Sequence, residues 1–67
     1  MKIKGSSSIN AVEYNKKTSE MTVFMKDNSV VVYLDVPEDI FHDFIHAPSA
    51  GYYYNTTVRN QYNFRYA

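Results

Sequence analysis

Ile9-Asn10-Ala11-Val12-Glu13-Tyr14 sets apolar residues near alternate positions, the period of a strand with one covered face. Asn15-Lys16-Lys17-Thr18 then reads as a polar turn, and Met21-Thr22-Val23-Phe24-Met25-Lys26 as a second strand carried by β-branched and aromatic residues. Asp27-Asn28-Ser29 forms the next turn, with Asn28 as a residue that tolerates positive φ. Val30 to Leu34 is an unbroken apolar run, which belongs at the centre or the best-covered part of a sheet. Short polar turns between three such segments predict an antiparallel meander.

Beyond Leu34 the period changes. Pro37 suits the first position of a helix, and Glu38 and Asp39 then face the positive end of its dipole. Ile40, Phe41, Phe44 and Ile45 fall on one helical stripe, and Pro48 ends the segment. Ser49 can cap a second helix in which Tyr54, Val58 and Tyr62 recur every four residues. The run Tyr52 to Val58 also has high β propensity, so a strand is the competing reading there. The pattern as a whole predicts an α+β domain: a three-stranded antiparallel meander followed by two helices packed on one face. Its expected core is Ile9, Val12, Phe24, Val31, Phe41, Phe44, Ile45, Val58 and Tyr62.

At 67 residues the chain is a single domain over 1–67, with 1–5 and 65–67 as flexible ends. So small a core seldom supplies more than ~3–5 kcal/mol, which makes a homo-oligomer a natural expectation. There is no cysteine, so no disulfide and no thiolate zinc site. Seven basic residues balance seven acidic ones, which weighs against bulk electrostatic binding of duplex DNA. The charges are nevertheless segregated: lysines dominate residues 1–26, whereas residues 27–43 carry only acids. Such a dipolar surface suits a defined partner or self-association better than a polyanion. The opening MKIKGSSSIN lacks the apolar stretch of a secretory leader, and no run approaches a membrane span, so the expected location is cytoplasmic. Asn55-Thr56-Thr57 is then a chance sequon.

Most catalytic chemistry finds no support. Asp39, His42, Asp43 and His46 share the polar face of the first predicted helix, but the glutamate that follows the first histidine in the metalloprotease motif is missing. A solvated face accounts for them, and no metal or other cofactor is expected. No serine lies in a glycine-framed elbow, and two glycines, Gly5 and Gly51, provide neither a P-loop nor a dinucleotide fingerprint. The expectation is a protein that is not an enzyme.

The C-terminal quarter carries more. Six of the eleven aromatic residues (Tyr52, Tyr53, Tyr54, Tyr62, Phe64 and Tyr66) lie there with Asn55, Arg59, Asn60, Gln61 and Arg65. Rings for stacking, amides for base edges and an arginine for phosphate are the parts of a nucleotide-binding surface. Tyrosines equally build cores and subunit interfaces. Helical spacing sends Tyr54, Val58 and Tyr62 to the core and leaves Tyr52, Asn55, Thr56 and Arg59 on the opposite side, free for a ligand.

Three stretches also resemble a known family. Ser6-Ser7-x-Ile9-x-x-Val12-x-Tyr14-Asn15 is similar to the opening of the KTSC domain, Tyr33 with Val36-Pro37 to its centre, and Ala47-Pro48-Ser49-Ala50-Gly51 with Asn55, Val58-Arg59 and Tyr62 to its close. The chain departs from the pattern at Val31, where the family has a tyrosine, and at Asp35 and Asn28, where it has glycines. The resemblance implies a small non-catalytic domain found at the C-terminus of some lysyl-tRNA synthetases and alone in bacterial and phage proteins, with nucleic-acid binding as the suggested role. Carried over by position, Ser7, Tyr33, Ser49, Gly51, Asn55, Arg59 and Tyr62 are the motif residues. Together with Tyr52, all of these but the core-assigned Tyr62 form the expected ligand set: Arg59, Asn55, Tyr52, Tyr33, Ser49, Gly51 and Ser7. The expected partner is single-stranded RNA or a small nucleotide-derived molecule, bound or sequestered. The alternative is a protein–protein adaptor or self-assembling unit with no such ligand.

Overall fold

A computed structural model describes residues 1–67 and contains the α+β architecture, with one more strand than the hydrophobic pattern predicts. Strands β1 (Ile9–Asn15), β2 (Glu20–Met25) and β3 (Val30–Tyr33) form the antiparallel meander. Helix α1 (Glu38–His46) and the short helix α2 (Ala50–Tyr53) follow, then a π-helical turn over Tyr54–Val58. The chain returns to the sheet as β4 (Phe64–Tyr66), antiparallel to β3, so the order is β1-β2-β3-β4. The second helix expected to reach beyond residue 60 therefore ends at Val58, and Phe64-Arg65-Tyr66 is strand.

Turn chemistry follows the residues. Asn28 adopts φ 73°, in the left-handed region its short amide tolerates. Asp35, where the resembling family has glycine, sits at φ 55°, which accounts for that glycine physically. Pro37 precedes α1 as its N-cap, one place earlier than the helical position expected for it. Ser49 caps α2, its Oγ accepting from the Tyr52 amide at 3.3 Å.

Both ends of the chain hydrogen-bond to the sheet. The Met1 carbonyl accepts from the Val12 amide at 2.9 Å and the Ile3 amide donates to Asn10 at 3.0 Å, so the N-terminus pairs along the free edge of β1. At the other edge the Ala67 amide donates to the Val30 carbonyl at 3.0 Å beside β4. Lys2 thus forms an isolated antiparallel bridge with Ala11, and Phe64–Tyr66 form β4, so that both sheet edges are partly shielded.

Ile9, Val12, Met21, Val23, Val31, Tyr33, Val36, Phe44, Ala50 and Val58 form the core between the sheet and the helices. Of the expected core, Phe41, Ile45 and Tyr62 are half-buried at its margin. Phe24 is the correction. Its neighbours Met21 and Val23 point inward, and with a period of two Phe24 faces the opposite side, paired with Ala11 and Val30. Tyr14 stacks on Phe41 at 5.3 Å and its hydroxyl donates to the Val36 carbonyl, fastening α1 to the sheet. No helix is long and apolar enough to cross a membrane.

Candidate functional site

The π turn decides which side chains meet. Its closing bond runs from the Arg59 amide to the Tyr54 carbonyl at 2.7 Å, an i to i+5 connection. In a regular helix Arg59 and Tyr54 lie on different faces, as the sequence reading has it. The wider turn brings both to one hollow of about 470 Å³, lined also by Ser8, Met25, Asp27, Ser29, Val31, Asn55 and Tyr66. A smaller hollow of about 200 Å³ adjoins it and shares Val31, Tyr54, Arg59 and Tyr66, adding Tyr33, Asn60 and Phe64. Both open against the ends of β2, β3 and β4.

Aromatic rings build one wall. The Tyr33 and Tyr54 hydroxyls lie 2.6 Å apart, with ring centroids 6.1 Å apart and edge-on. Phe64 lies 5.9 Å from Tyr33 and 5.5 Å from Tyr66. Phe44, fully buried, lies 5.5 Å from Tyr53 and 6.2 Å from Tyr54 and so backs this wall from the core. Burial, then the bond to Tyr54, holds the Tyr33 phenol well above its usual range, and Arg59 pulls weakly the other way. Tyr66 is 71% exposed and presents a ring at the rim.

Electrostatically the groove is two-sided. Arg59 is exposed and takes part in neither ion pair of the protein, which are Lys16–Glu38 and Arg65–Glu20. Arg59 makes no ion pair with the acidic 35–43 segment. Asp27, which lines the same hollow, accepts the Ser29 amide at 2.9 Å. Hydrogen bonding from the Ser29 hydroxyl, then from its amide, keeps the Asp27 carboxyl below its usual range.

Of the expected ligand set, the fold brings Arg59 and Asn55 together in the larger hollow and adds Tyr33 through the smaller one. Ser49 is occupied as a helix cap. Gly51 backs onto Ser6 and Ser8, where a methyl group would meet their Oγ atoms at 3.8 and 4.0 Å, so the packing itself does not demand glycine. Tyr52 is 71% exposed and lines neither hollow, and Ser7 is exposed while Ser8 lines the groove. The buried serine of the run Ser6-Ser7-Ser8 is Ser6, whose Oγ accepts from the Ile9 amide at 3.0 Å and the Ser8 amide at 3.2 Å. Tyr54, Tyr66, Phe64 and Asp27 are among the groove residues outside the expected ligand set.

On α1 the His42 and His46 rings lie 4.6 Å apart, and Nδ1–H of His46 donates to the His42 carbonyl at 2.8 Å. A further hollow of about 470 Å³ lies along the β1–β2 hairpin, walled almost entirely by polar residues from Glu13 to Lys17 with Glu20 and Thr22. It lacks the aromatic wall.

No curated protein matches the chain. Among solved structures, a KTSC domain protein from Yersinia pestis superposes with a TM-score of 0.92 at 21% sequence identity, covering 98% of this chain and 93% of that one. Likeness at that identity establishes the fold. The sequence model of the KTSC domain matches residues 5–62, from the glycine before Ser6 to Tyr62. With the opening serines, the central Tyr33 and Val36-Pro37, and the closing Asn55, Arg59 and Tyr62 all inside that match, the chain belongs to the KTSC domain family.

Proposed function

We propose that the chain is a non-catalytic binding module for a nucleotide-type ligand, either single-stranded RNA or a small nucleotide-derived molecule that it sequesters. One observation carries the reading: Arg59, free of any ion pair, and Asn55 share a groove with Tyr54 and Tyr66. A guanidinium forks onto a phosphate, an amide meets a base edge, and an exposed tyrosine ring offers a stacking platform. The groove holds serine hydroxyls without a histidine to activate them, which favours binding over turnover. Zero net charge favours a compact ligand or a short strand over a duplex.

Arg59→Lys tests it, because the charge stays and the planar fork is lost. Calorimetric titration with a short mixed-sequence RNA and with mononucleotides should show affinity falling by roughly 1.5–3 kcal/mol, the worth of a charge-assisted contact. The melting temperature should hold, since Arg59 has no protein partner to lose. Unchanged affinity removes Arg59 from the site.

The uncovered face of the sheet favours a second reading, a self-assembling unit. Phe24, Val30 and Ala11 lie half-buried there with no helix over them. Light scattering that finds a monomer at all concentrations, with Phe24→Ser leaving it unchanged, overturns that reading.

A further inference from the structure

The groove pairs its free arginine with a carboxylate, and that combination is informative about which base it takes. Asp27, in the β2–β3 turn, lines the same hollow as Arg59, Asn55, Tyr54 and Tyr66. It is in no ion pair. The Ser29 amide fixes the carboxylate by donating to Oδ1, and a carboxylate has about four lone-pair positions, so acceptor capacity is left for a ligand. A lone carboxylate in a phosphate site would be repulsive. Asp27 and Arg59 line one hollow of about 470 Å³ without pairing with each other, so both charges are left for different groups of one ligand.

We propose that the groove is selective for guanine, with Asp27 reading the base and Arg59 holding the phosphate; this rests on the nucleotide reading above. Among the four bases only guanine places two donors side by side on its pairing edge, N1–H and the N2 amino group. An ionised carboxylate accepts both. Adenine sets a bare N1 lone pair beside its amino group, cytosine sets N3 there, and uracil flanks one N–H with two carbonyl oxygens. Each of these turns at least one acceptor toward an acceptor-only side chain. An exposed aspartate is ionised at neutral pH, and hydrogen bonding from Ser29 only favours the carboxylate further, so it does not turn donor. Stacking on Tyr66 or Tyr54 contributes to every base alike, which leaves discrimination to Asp27.

The experiment is calorimetric titration of the full chain with the monophosphates of guanosine, adenosine, cytidine and uridine, repeated on Asp27→Asn and Arg59→Ala. The wild-type protein should prefer guanosine monophosphate over adenosine monophosphate by at least roughly tenfold, the discrimination one good bidentate pair provides. Asparagine offers one acceptor and one donor, the complement of adenine, and still supports the turn through its side-chain oxygen. Asp27→Asn should therefore abolish or reverse the preference while the melting temperature stays put. Arg59→Ala should weaken all four. Equal binding of the four nucleotides, all lost in Arg59→Ala, overturns the guanine assignment and leaves the nucleotide reading standing. A guanine preference that survives Asp27→Asn removes Asp27 from base reading. Failure of every nucleotide to bind overturns both.

Discussion

The hydroxyl pair between β3 and the π turn allows an asymmetric test of how the site is held. Tyr33 is 3% exposed and its hydroxyl bonds only to that of Tyr54, which is half-buried at the groove. Tyr33→Phe removes one bond and leaves the Tyr54 hydroxyl able to turn to water, so the loss should be about 0.5–1.5 kcal/mol. Tyr54→Phe strands the Tyr33 hydroxyl in the interior, and an unsatisfied buried group costs about 1–3 kcal/mol. Replacing both hydroxyls leaves two apolar rings in the same edge-on contact with nothing orphaned. The double variant should therefore be more stable than Tyr54→Phe alone, although it carries more changes. Urea unfolding followed by circular dichroism measures all four corners of the cycle. Equal costs for the two single variants, or a double variant whose cost is the sum of both, would refute the reasoning and show that each hydroxyl has another partner.

Other expectations follow from the same packing. Phe44, fully buried against Tyr53 and Tyr54, should cost about 3–5 kcal/mol when cut to alanine, enough to unfold so small a domain at room temperature; an unchanged melting temperature would place α1 elsewhere. Asp35 at φ 55° should accept glycine with little loss, whereas Asp35→Val puts a β-branched residue in the left-handed region at a cost of about 1–2 kcal/mol, read from the shift in urea midpoint. Tyr33 ionises above its usual 10.0 in the folded chain because burial comes first and the Tyr54 bond second. The folded state thus keeps a proton that the unfolded chain releases, so this contribution is complete below about pH 10 and declines as the pH rises beyond it. Melting temperatures across the alkaline range should fall less steeply in Tyr33→Phe than in the wild type.

The strands of the meander and α1 are legible because their apolar residues repeat with periods of two and of three to four against short polar turns. Phe24 misleads for a specific reason: Met21-Thr22-Val23-Phe24-Met25 is apolar on both faces, and side-chain size does not say which face is covered. Val36, fully buried just before Pro37, belongs to no periodic element and leaves no periodic signal. Beyond residue 50 the four-residue spacing of Tyr54, Val58 and Tyr62 argues for a helix that the chain leaves after Val58. The available clue is the run Arg59-Asn60-Gln61-Tyr62-Asn63, dense in turn-forming amides, in which Asn60 adopts φ 68°. Strand β4 is three exposed residues long and held by its pairing with β3, so nothing local announces it. The same misreading separates Arg59 from Tyr54 and hides the groove. Arg59 and Asn55 stand out in the sequence as polar residues among tyrosines. Asp27 does not, because only the fold brings the β2–β3 turn beside the π turn.

Chemical-shift mapping on the isotope-labelled chain, titrated with guanosine monophosphate, tests most directly whether this groove is the binding site. The amides of Ser8, Asp27, Ser29, Asn55, Arg59 and Tyr66 should move together and saturate along one isotherm, while those of the β1–β2 hairpin from Glu13 to Lys17 and of His42 and His46 stay in place. Saturable shifts confined to the hairpin or to α1, or no saturable shifts at all, would contradict it.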